Sequence, residues 1–295
     1  MRIIVCFVAA LFAAAASTPG IAAEKLKAVA SFSILADLVT QVGGDHVDVS
    51  AIVGPDGDAH VFQPSPQDAK SIADAKLVVI NGLGLEGWME RLIKSSGTKA
   101  IVVTASKGVR PIQGEGEEKG KLDPHAWQSI ANAKIYVANI RDGLISADPA
   151  DKADYEANAK AYVAKLDELD NEVKAAVASI PPKNRKIITT HDAFGYFARA
   201  YGMSFIAPQG VSTETEPSAK DVAKIIRQIK AQHVPAVFLE NISDPRLMQQ
   251  IARESGAKVG DKLYSDALSK PGEGAATYID MMHNNIAAFA KALKE

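Results

Sequence analysis

A long helical pattern near the middle of the chain constrains the fold more than any other feature of the sequence. It runs from Pro149 to Ser179 without an internal glycine or proline, and Pro181-Pro182 follows it. Its apolar residues recur at steps of three and four, the period of one face of an α-helix. At 1.5 Å per residue, roughly 30 helical residues span about 45 Å, which is long enough to cross a protein of two lobes. These apolar residues are Tyr155, Ala159, Tyr162, Leu166, Leu169, Val173 and Val177.

Short apolar runs alternate with amphipathic stretches on both sides of this pattern. The predicted strands are Leu26–Phe32, Val47–Val53, Leu77–Asn81, Ala100–Thr104, Lys186–Thr190, Ala236–Glu240 and Lys258–Tyr264. The predicted helices are Ile34–Val42, Pro66–Ala75, Leu85–Ser95, Ser129–Asp142, Ala193–Tyr201, Pro217–Gln232, Pro245–Ser255 and Ala276–Lys294. We expect Gly143 to end the fourth of these helices, and Pro217 to lie in the first turn of the sixth. Such alternation is typical of βαβ units and a mostly parallel sheet.

The predicted fold is therefore α/β, with two similar lobes that are each a mostly parallel sheet flanked by helices. One long rigid helix joins them. The domain prediction places an N-terminal lobe at residues 24–145, the connecting helix at 146–182 and a C-terminal lobe at 183–295. The chain from residue 24 to residue 295 is long enough for two lobes, each with its own core.

The first 23 residues have the pattern of a secretory signal peptide. Met1-Arg2 is followed by an uncharged apolar run from Ile3 to Ala16, and the small-residue stretch Ile21-Ala22-Ala23 suits a cleavage site. The run is shorter than the roughly 20 residues that a membrane span needs. We expect cleavage after residue 23 and a product that is free in the periplasm.

Cysteine usage and charge exclude several classes of function. Cys6 is the only cysteine, and it lies within the predicted signal peptide. The exported chain would then have no disulfide, no cysteine-ligated metal and no cysteine for a lipid anchor. Loss of Arg2 changes 33 basic against 35 acidic residues to 32 against 35, a net charge of −3. This near balance gives no electrostatic reason to expect nucleic acid or an anionic membrane as a partner.

Four short segments at strand ends or in loops contain candidate functional residues. They surround His60, His125, His191 and Asp266, which are separated by 65, 66 and 75 residues. In open α/β sheets, ligands bind beyond the carboxyl ends of the strands, where such loops meet. Any site built from these four side chains must therefore form through tertiary structure.

The same segments resemble those of a known family of transport proteins. The sequence contains D-x-H-x-[FY]-x-P-S-P around His60, D-P-H-x-W around His125, H-D-A-F-x-Y-F around His191 and S-D-x-L around Asp266. Together with Asn81-Gly-Leu-Gly-Leu-Glu-Gly-Trp88, this ordered set resembles the solute-binding proteins of bacterial zinc and manganese ABC importers, the cluster A-I family. The resemblance covers essentially the whole exported chain. It implies that the four residues coordinate a metal ion, and that the long helix is a rigid connector.

The chemistry of these four side chains favours zinc. Three neutral imidazoles and one carboxylate form an N₃O set of borderline softness, which suits Zn²⁺. Members of the family that bind manganese typically have a carboxylate where this chain has His191, so Mn²⁺ is the less favoured ion. We expect residues 110–121 to form a mobile surface loop. Many zinc members have a histidine-rich loop before the second ligand, but residues 110–121 contain no histidine. This difference leaves a manganese or iron receptor as the alternative within the family.

Three acidic residues outside the candidate set have predicted supporting roles. Asp58 and Asp123 are expected to accept the second ring N–H of a ligand histidine, and Glu240 is either such a partner or a structural cap.

An exported zinc hydrolase is disfavoured because the sequence has no H-E-x-x-H or G-x-S-x-G motif. An adhesin is disfavoured by the missing anchor cysteine. A four-ligand site without an open position also favours binding over catalysis. The expected partners are an inner-membrane ABC permease and a metallochaperone, with the chain itself a monomer.

Overall fold

A computed structural model describes residues 24–114 and 119–294 of the chain. The predicted signal peptide and part of the predicted surface loop therefore lie outside the described residues. Gly114 N–H donates to Lys121 O at 2.9 Å, and Gln113 pairs with Leu122 in an antiparallel bridge, so the described ends of the loop lie side by side. No helix in the described part of the chain is both long enough and apolar enough to span a membrane.

The first lobe contains a four-stranded sheet in which every pairing is parallel. Its strands are β1 (Leu26–Phe32), β2 (Val47–Val53), β3 (Leu77–Ile80) and β4 (Ile101–Thr104), in the order β2-β1-β3-β4. Leu26 lies opposite Val47, and Ala28 lies opposite Leu77. The strand order changes direction between β1 and β3. At such a switch point, the loops after neighbouring strands diverge to opposite faces and leave a crevice.

The second lobe repeats this topology with shorter strands. They are β5 (Lys186–Ile188), β6 (Ser204–Ile206), β7 (Ala236–Val237) and β8 (Lys258–Val259), in the order β6-β5-β7-β8. All pairings in this sheet are also parallel. The prediction of two α/β lobes, each with a mostly parallel sheet, is therefore confirmed.

Nine helices in the described residues cover the sheets. They are α1 (Ser33–Gly43), α2 (Pro66–Asp74), α3 (Met89–Ser96), α4 (Ile130–Ala147), α5 (Lys152–Ala178), α6 (Gly195–Tyr201), α7 (Ala219–Gln232), α8 (Arg246–Ser255) and α9 (Tyr278–Leu293). Two of them begin with complete capping boxes, formed by Ser65 with Asp68 and by Ser218 with Asp221. In each box the serine hydroxyl accepts a backbone N–H that the helix leaves unpaired, which fixes where the helix starts.

The long predicted helix is confirmed as α5. It has 27 residues, and its buried face consists of the seven apolar residues that the periodicity identified. This length corresponds to about 40 Å. Helix α5 packs against α1 and α4 of the first lobe and against α9 from the end of the chain.

The prediction that Gly143 ends a helix is wrong. Helix α4 continues through it to Ala147, and Gly143 is buried. A Cβ atom at this position would lie only 2.4 Å from Val103 Cγ2. The glycine therefore allows α4 to approach β4 closely, and packing outweighs its weak helix propensity.

Several predicted boundaries in the second lobe also differ from the structure. Pro217 precedes the N-cap residue Ser218 and does not belong to the first turn of α7. Strand β6 was not predicted, since three residues are too few to show an alternating pattern. The strand expected over Lys258–Tyr264 ends at Val259, and beyond it only Leu263 pairs again, in an isolated bridge with Glu240.

The expectation that each lobe has a core of its own is wrong, because the larger cluster of buried apolar residues extends through both lobes. A single apolar cluster contains Leu26 and Val78 of the first sheet, Ile187 and Phe238 of the second lobe, and Phe289 of α9. A smaller cluster fills the other face of the second sheet, under α7 and α8. The reason is that α5 and α9 bury apolar faces against both lobes, so the lobes share their main core.

Candidate metal centre

The four candidate residues come together where the carboxyl ends of the two sheets face each other. His60 lies in the loop after β2, and His125 immediately precedes a short 3-10 turn that leads into α4. In the second lobe, His191 follows β5 by three residues, and Asp266 lies in the loop between β8 and α9. Each side chain is thus placed by a loop at the edge where α/β proteins bind their ligands.

The donor atoms of these residues form one compact cluster. His60 Nε2 lies 3.3 Å from His125 Nε2 and 3.1 Å from Asp266 Oδ2. His191 Nε2 lies 3.3 Å from His125 Nε2 and 3.0 Å from Asp266 Oδ2. His125 Nε2 also lies 3.5 Å from Asp266 Oδ1. All four residues are buried.

These distances between donor atoms suit an ion with tetrahedral coordination. With metal–ligand bonds of about 2.0–2.1 Å, the donors of a tetrahedral zinc site lie about 3.3–3.4 Å apart. In addition, Asp266 Oδ1 is buried without a hydrogen-bond partner in the described part of the chain. A buried polar atom is normally paired, so a carboxylate oxygen left without a partner beside the His125 ring is what a cation would satisfy.

Two of the histidines are oriented by carboxylates on the side away from the centre. His125 Nδ1 lies 2.8 Å from Asp123 Oδ1, and His191 Nδ1 lies 2.5 Å from Glu240 Oε2. An ionised carboxylate only accepts hydrogen bonds, so Nδ1 must carry the proton in both rings. This arrangement leaves Nε2 of each ring as the atom that can bind a cation. The role predicted for Asp123 is confirmed.

The role predicted for Asp58 is wrong. Its Oδ1 accepts the backbone N–H of His60 at 2.9 Å, and its Oδ2 accepts the Thr213 hydroxyl at 2.6 Å. An aspartate readily closes this two-residue turn onto the backbone, which uses the oxygen that might have faced the ring. Asp58 therefore positions the chain of His60 and links the two lobes.

Glu240 fulfils both of the roles that were considered for it. Besides the ring of His191, it accepts the backbone N–H groups of Thr190 at 2.7 Å and of His191 at 3.1 Å. It is buried. One carboxylate thus holds the chain and the imidazole of the same residue.

The electrostatics of the cluster couple its members strongly. Burial lowers the pKa of His125, but the negative charge of Asp266 and the hydrogen bond to Asp123 outweigh it and raise the pKa to about 9. Burial likewise opposes the protonation of His191, yet Glu240 and Asp266 raise its pKa well above the ordinary value. Burial raises the pKa of Asp266, but the charges of His191 and His125 prevail and keep it well below its usual range. The centre therefore favours positive charge.

The loop that contains Asp266 is held by the first lobe, a feature that sequence reasoning missed. Trp127 Nε1 and Gln128 Nε2 both donate to Ser265 O, at 2.9 and 2.8 Å. The Leu268 N–H donates to Ser33 Oγ at 2.9 Å, and its carbonyl accepts from Asp56 N–H at 3.0 Å. The indole in D-P-H-x-W was the available signal, because a buried Trp N–H needs an acceptor.

The other three histidines lie away from this centre. His46 is half-buried and contacts Asp151 at 2.7 Å and Asp154 at 3.2 Å. His283 contacts Glu172 at 2.6 Å on the surface. His233 is exposed at the end of α7. The structure thus separates the four candidate residues from the remaining histidines.

Comparison with known proteins adds to this geometry. A family model described as the periplasmic component A of the zinc-uptake complex matches residues 28–292. The chain belongs to this family. Its members bind metal ions outside the cytoplasm as receptors, not as enzymes, which agrees with a buried centre of four donors.

The names of individual relatives specify different metals. The chain is 34% identical to the manganese-binding lipoprotein MntA of Halalkalibacterium halodurans, over 92% of this chain and 90% of that protein. It is 35% identical to the iron ABC transporter substrate-binding lipoprotein MtsA of Streptococcus pyogenes, over 92% and 89% of the two chains. The periplasmic zinc binding protein TroA from Treponema pallidum superposes with a TM-score of 0.88 at 29% identity, covering 92% of this chain and all of that one.

Proposed function

We propose that this protein is a periplasmic receptor that binds one Zn²⁺ ion through His60, His125, His191 and Asp266. It would deliver the ion to an ABC permease in the inner membrane. The single observation that carries this proposal is the cluster of three Nε2 atoms and one carboxylate, all within 4.8 Å of one another and buried.

The composition of the cluster supports capture of an ion over catalysis with one. A catalytic zinc keeps a coordination position open for water or substrate, usually beside three protein ligands. Here a fourth protein donor, Asp266, completes the set and is fully buried. Affinity is further favoured by Asp123 and Glu240, since carboxylates behind ligand histidines raise the basicity of the rings.

The choice of zinc rests on the donor types. Three nitrogen donors and one oxygen suit Zn²⁺, whereas Mn²⁺ is better matched by carboxylates, carbonyls and water. The relatives named for manganese and iron make a receptor for one of those ions the competing proposal. Cleavage of residues 1–23, release into the periplasm and the lobe boundaries at 145 and 183 belong to the same proposal.

A competitive titration tests the proposal. Metal-free full-length exported protein is titrated with Zn²⁺, and then with Mn²⁺ and Fe²⁺ in the presence of a zinc chelator of known affinity. We expect one ion per chain and a clear preference for Zn²⁺. His283→Ala is the control, because this histidine lies on the surface away from the cluster and should leave the titration unchanged. Preference for Mn²⁺ would overturn the choice of metal, and absence of binding would overturn the receptor.

A further inference from the structure

The four donor residues differ in their access to solvent. His125, His191 and Asp266 have no exposed surface, whereas His60 is 5% exposed. A hydrated cation that reaches the centre of this closed structure must therefore pass the edge of His60. The surroundings of His60 consequently determine how an ion arrives and leaves.

His60 lines two cavities. One has a volume of about 550 Å³ and is lined also by Leu83, Lys121 and Val211. The other has a volume of about 290 Å³ and is lined also by Phe62, Trp88 and Arg91. Besides His60, the residue that lines both cavities is Glu214.

Glu214 is the one carboxylate among the described residues that line these two cavities. The other charged residues there, Lys121 and Arg91, are cationic and repel a metal ion. Within residues 24–114 and 119–294, the Glu214 carboxylate makes no hydrogen bond or ion pair, and the residue is exposed. An exposed carboxylate without a partner beside an open cavity attracts a hydrated cation.

The loop that contains Glu214 is held firmly at this position. Gln209 Nε2 donates to Thr213 O at 3.1 Å and to Thr215 O at 3.0 Å, on either side of Glu214. Gln209 itself pairs with His191 in a parallel bridge. From the other lobe, Asp58 accepts the Thr213 hydroxyl and also the His60 N–H. The loop is thus tied to the backbone of His191 through Gln209 and, by way of the Asp58 carboxylate, to the backbone of His60.

We propose that Glu214 is an outer carboxylate that receives the cation on its way to and from the four-donor centre, past the edge of His60. The inference rests on the proposed metal-receptor function. In the transfer step, the hydrated ion exchanges a water molecule for a Glu214 oxygen, and then exchanges that oxygen for His60 Nε2. No bond other than metal–ligand bonds forms or breaks.

This role has a kinetic signature. Glu214 is not part of the four-donor cluster, so it does not bind the ion in the final complex. A group that contacts the ion only during passage changes the association and dissociation rates by the same factor. The equilibrium dissociation constant then stays the same.

Stopped-flow kinetics of Zn²⁺ binding and of chelator-driven release test the proposal. Trp127 fluorescence supplies the signal, since its ring centroid lies 5.3 Å from that of His125. For Glu214→Gln we expect both rates to fall by about three- to tenfold, with an unchanged dissociation constant, as one charge in a focusing cleft would produce. The matched control is Glu216→Gln. Glu216 is also exposed and lies in the same loop, but it lines a different cavity to which His60 does not contribute, so wild-type rates are expected.

Three results separate the possible failures. Wild-type association in Glu214→Gln would overturn the proposal. A change in the dissociation rate alone would also overturn it, because it would make Glu214 a latch between the lobes. Absence of Zn²⁺ binding by the wild-type protein would instead refute the proposed receptor function, which the same titration monitors.

Discussion

The two lobes have the same strand order, and each has a buried glutamate beyond its third strand in the chain. In the first lobe it is Glu86, which follows β3, and in the second it is Glu240, which follows β7. Both glutamates accept two successive backbone N–H groups. Glu86 accepts those of Asn81 and Gly82, at 2.6 and 3.2 Å, much as Glu240 accepts those of Thr190 and His191.

The two glutamates differ in the side chain that each one holds. Glu86 accepts the hydroxyl of Ser31, at the end of β1, at 2.5 Å. Glu240 contacts the imidazole of His191, beyond the end of β5, at 2.5 Å. Burial raises the pKa of Glu86, although its hydrogen bonds oppose the shift. The same device thus closes the end of a sheet in one lobe and orients the ring of a candidate metal ligand in the other. The partner side chain decides which role results.

Replacing the side chains that the two glutamates contact should give the largest difference in Zn²⁺ affinity between the lobes. We expect His191→Ala to weaken Zn²⁺ binding by at least about a hundredfold, because roughly a quarter of a four-ligand binding energy of about 10–16 kcal/mol is lost. Ser31→Ala removes the side chain that Glu86 contacts in the first lobe and should change affinity less than about twofold. Chelator competition measures both. Equal affinities for the two variants would refute the assignment of His191 as a ligand.

The glutamates themselves provide the next test. We expect Glu240→Gln to lower the affinity for Zn²⁺ by about 10–100-fold, since partners behind a ligand histidine typically contribute this much. Glu86→Gln is the matched control, because it alters the same kind of carboxylate without contact to a donor residue. Its affinity should remain within about threefold of wild type, even if thermal unfolding shows a changed stability. Similar losses in both variants would mean that Glu240 acts only through the stability of its lobe.

The dependence of affinity on pH tests the charge of the centre that the two lobes share. The pKa of His125 is raised from 6.5 to about 9. The stability that its proton contributes to the metal-free protein is therefore fully present below pH 6.5 and lost as the pH rises through about 9. Zn²⁺ requires the neutral ring, so the apparent affinity should rise by up to about tenfold per pH unit, for each proton displaced, until about pH 9.

Calorimetric titration in two buffers of different ionisation enthalpy measures the protons released on Zn²⁺ binding. An affinity that does not change between pH 6.5 and 9 would contradict the coupled centre. From the reference pKa of histidine alone, the loss of affinity would be expected near pH 6.5. The shift of this window to higher pH is a consequence of the buried charges of Asp266 and Asp123.

Local patterns in the sequence were sufficient for most elements of the fold. The periodicity of α5 and the alternation in β2 each depend on neighbours within a few positions, and both predictions are confirmed. Gly143 was misjudged because its role depends on Val103, which lies on another element. Strand β6 was missed because so short a segment is defined mainly by its pairing with β5.

The identities of the four candidate residues were determined by the sequence alone, because each lies in a distinctive motif at the end of a strand or in a loop. Their meeting was decided only by the tertiary structure, since contacts across 65 to 206 residues depend on how two sheets face each other. The same is true of the turn that Asp58 closes, the hold of Trp127 on the Asp266 loop and the core that both lobes share. Each of these requires a partner that no local pattern specifies, and so each was settled by packing and hydrogen bonding over long range.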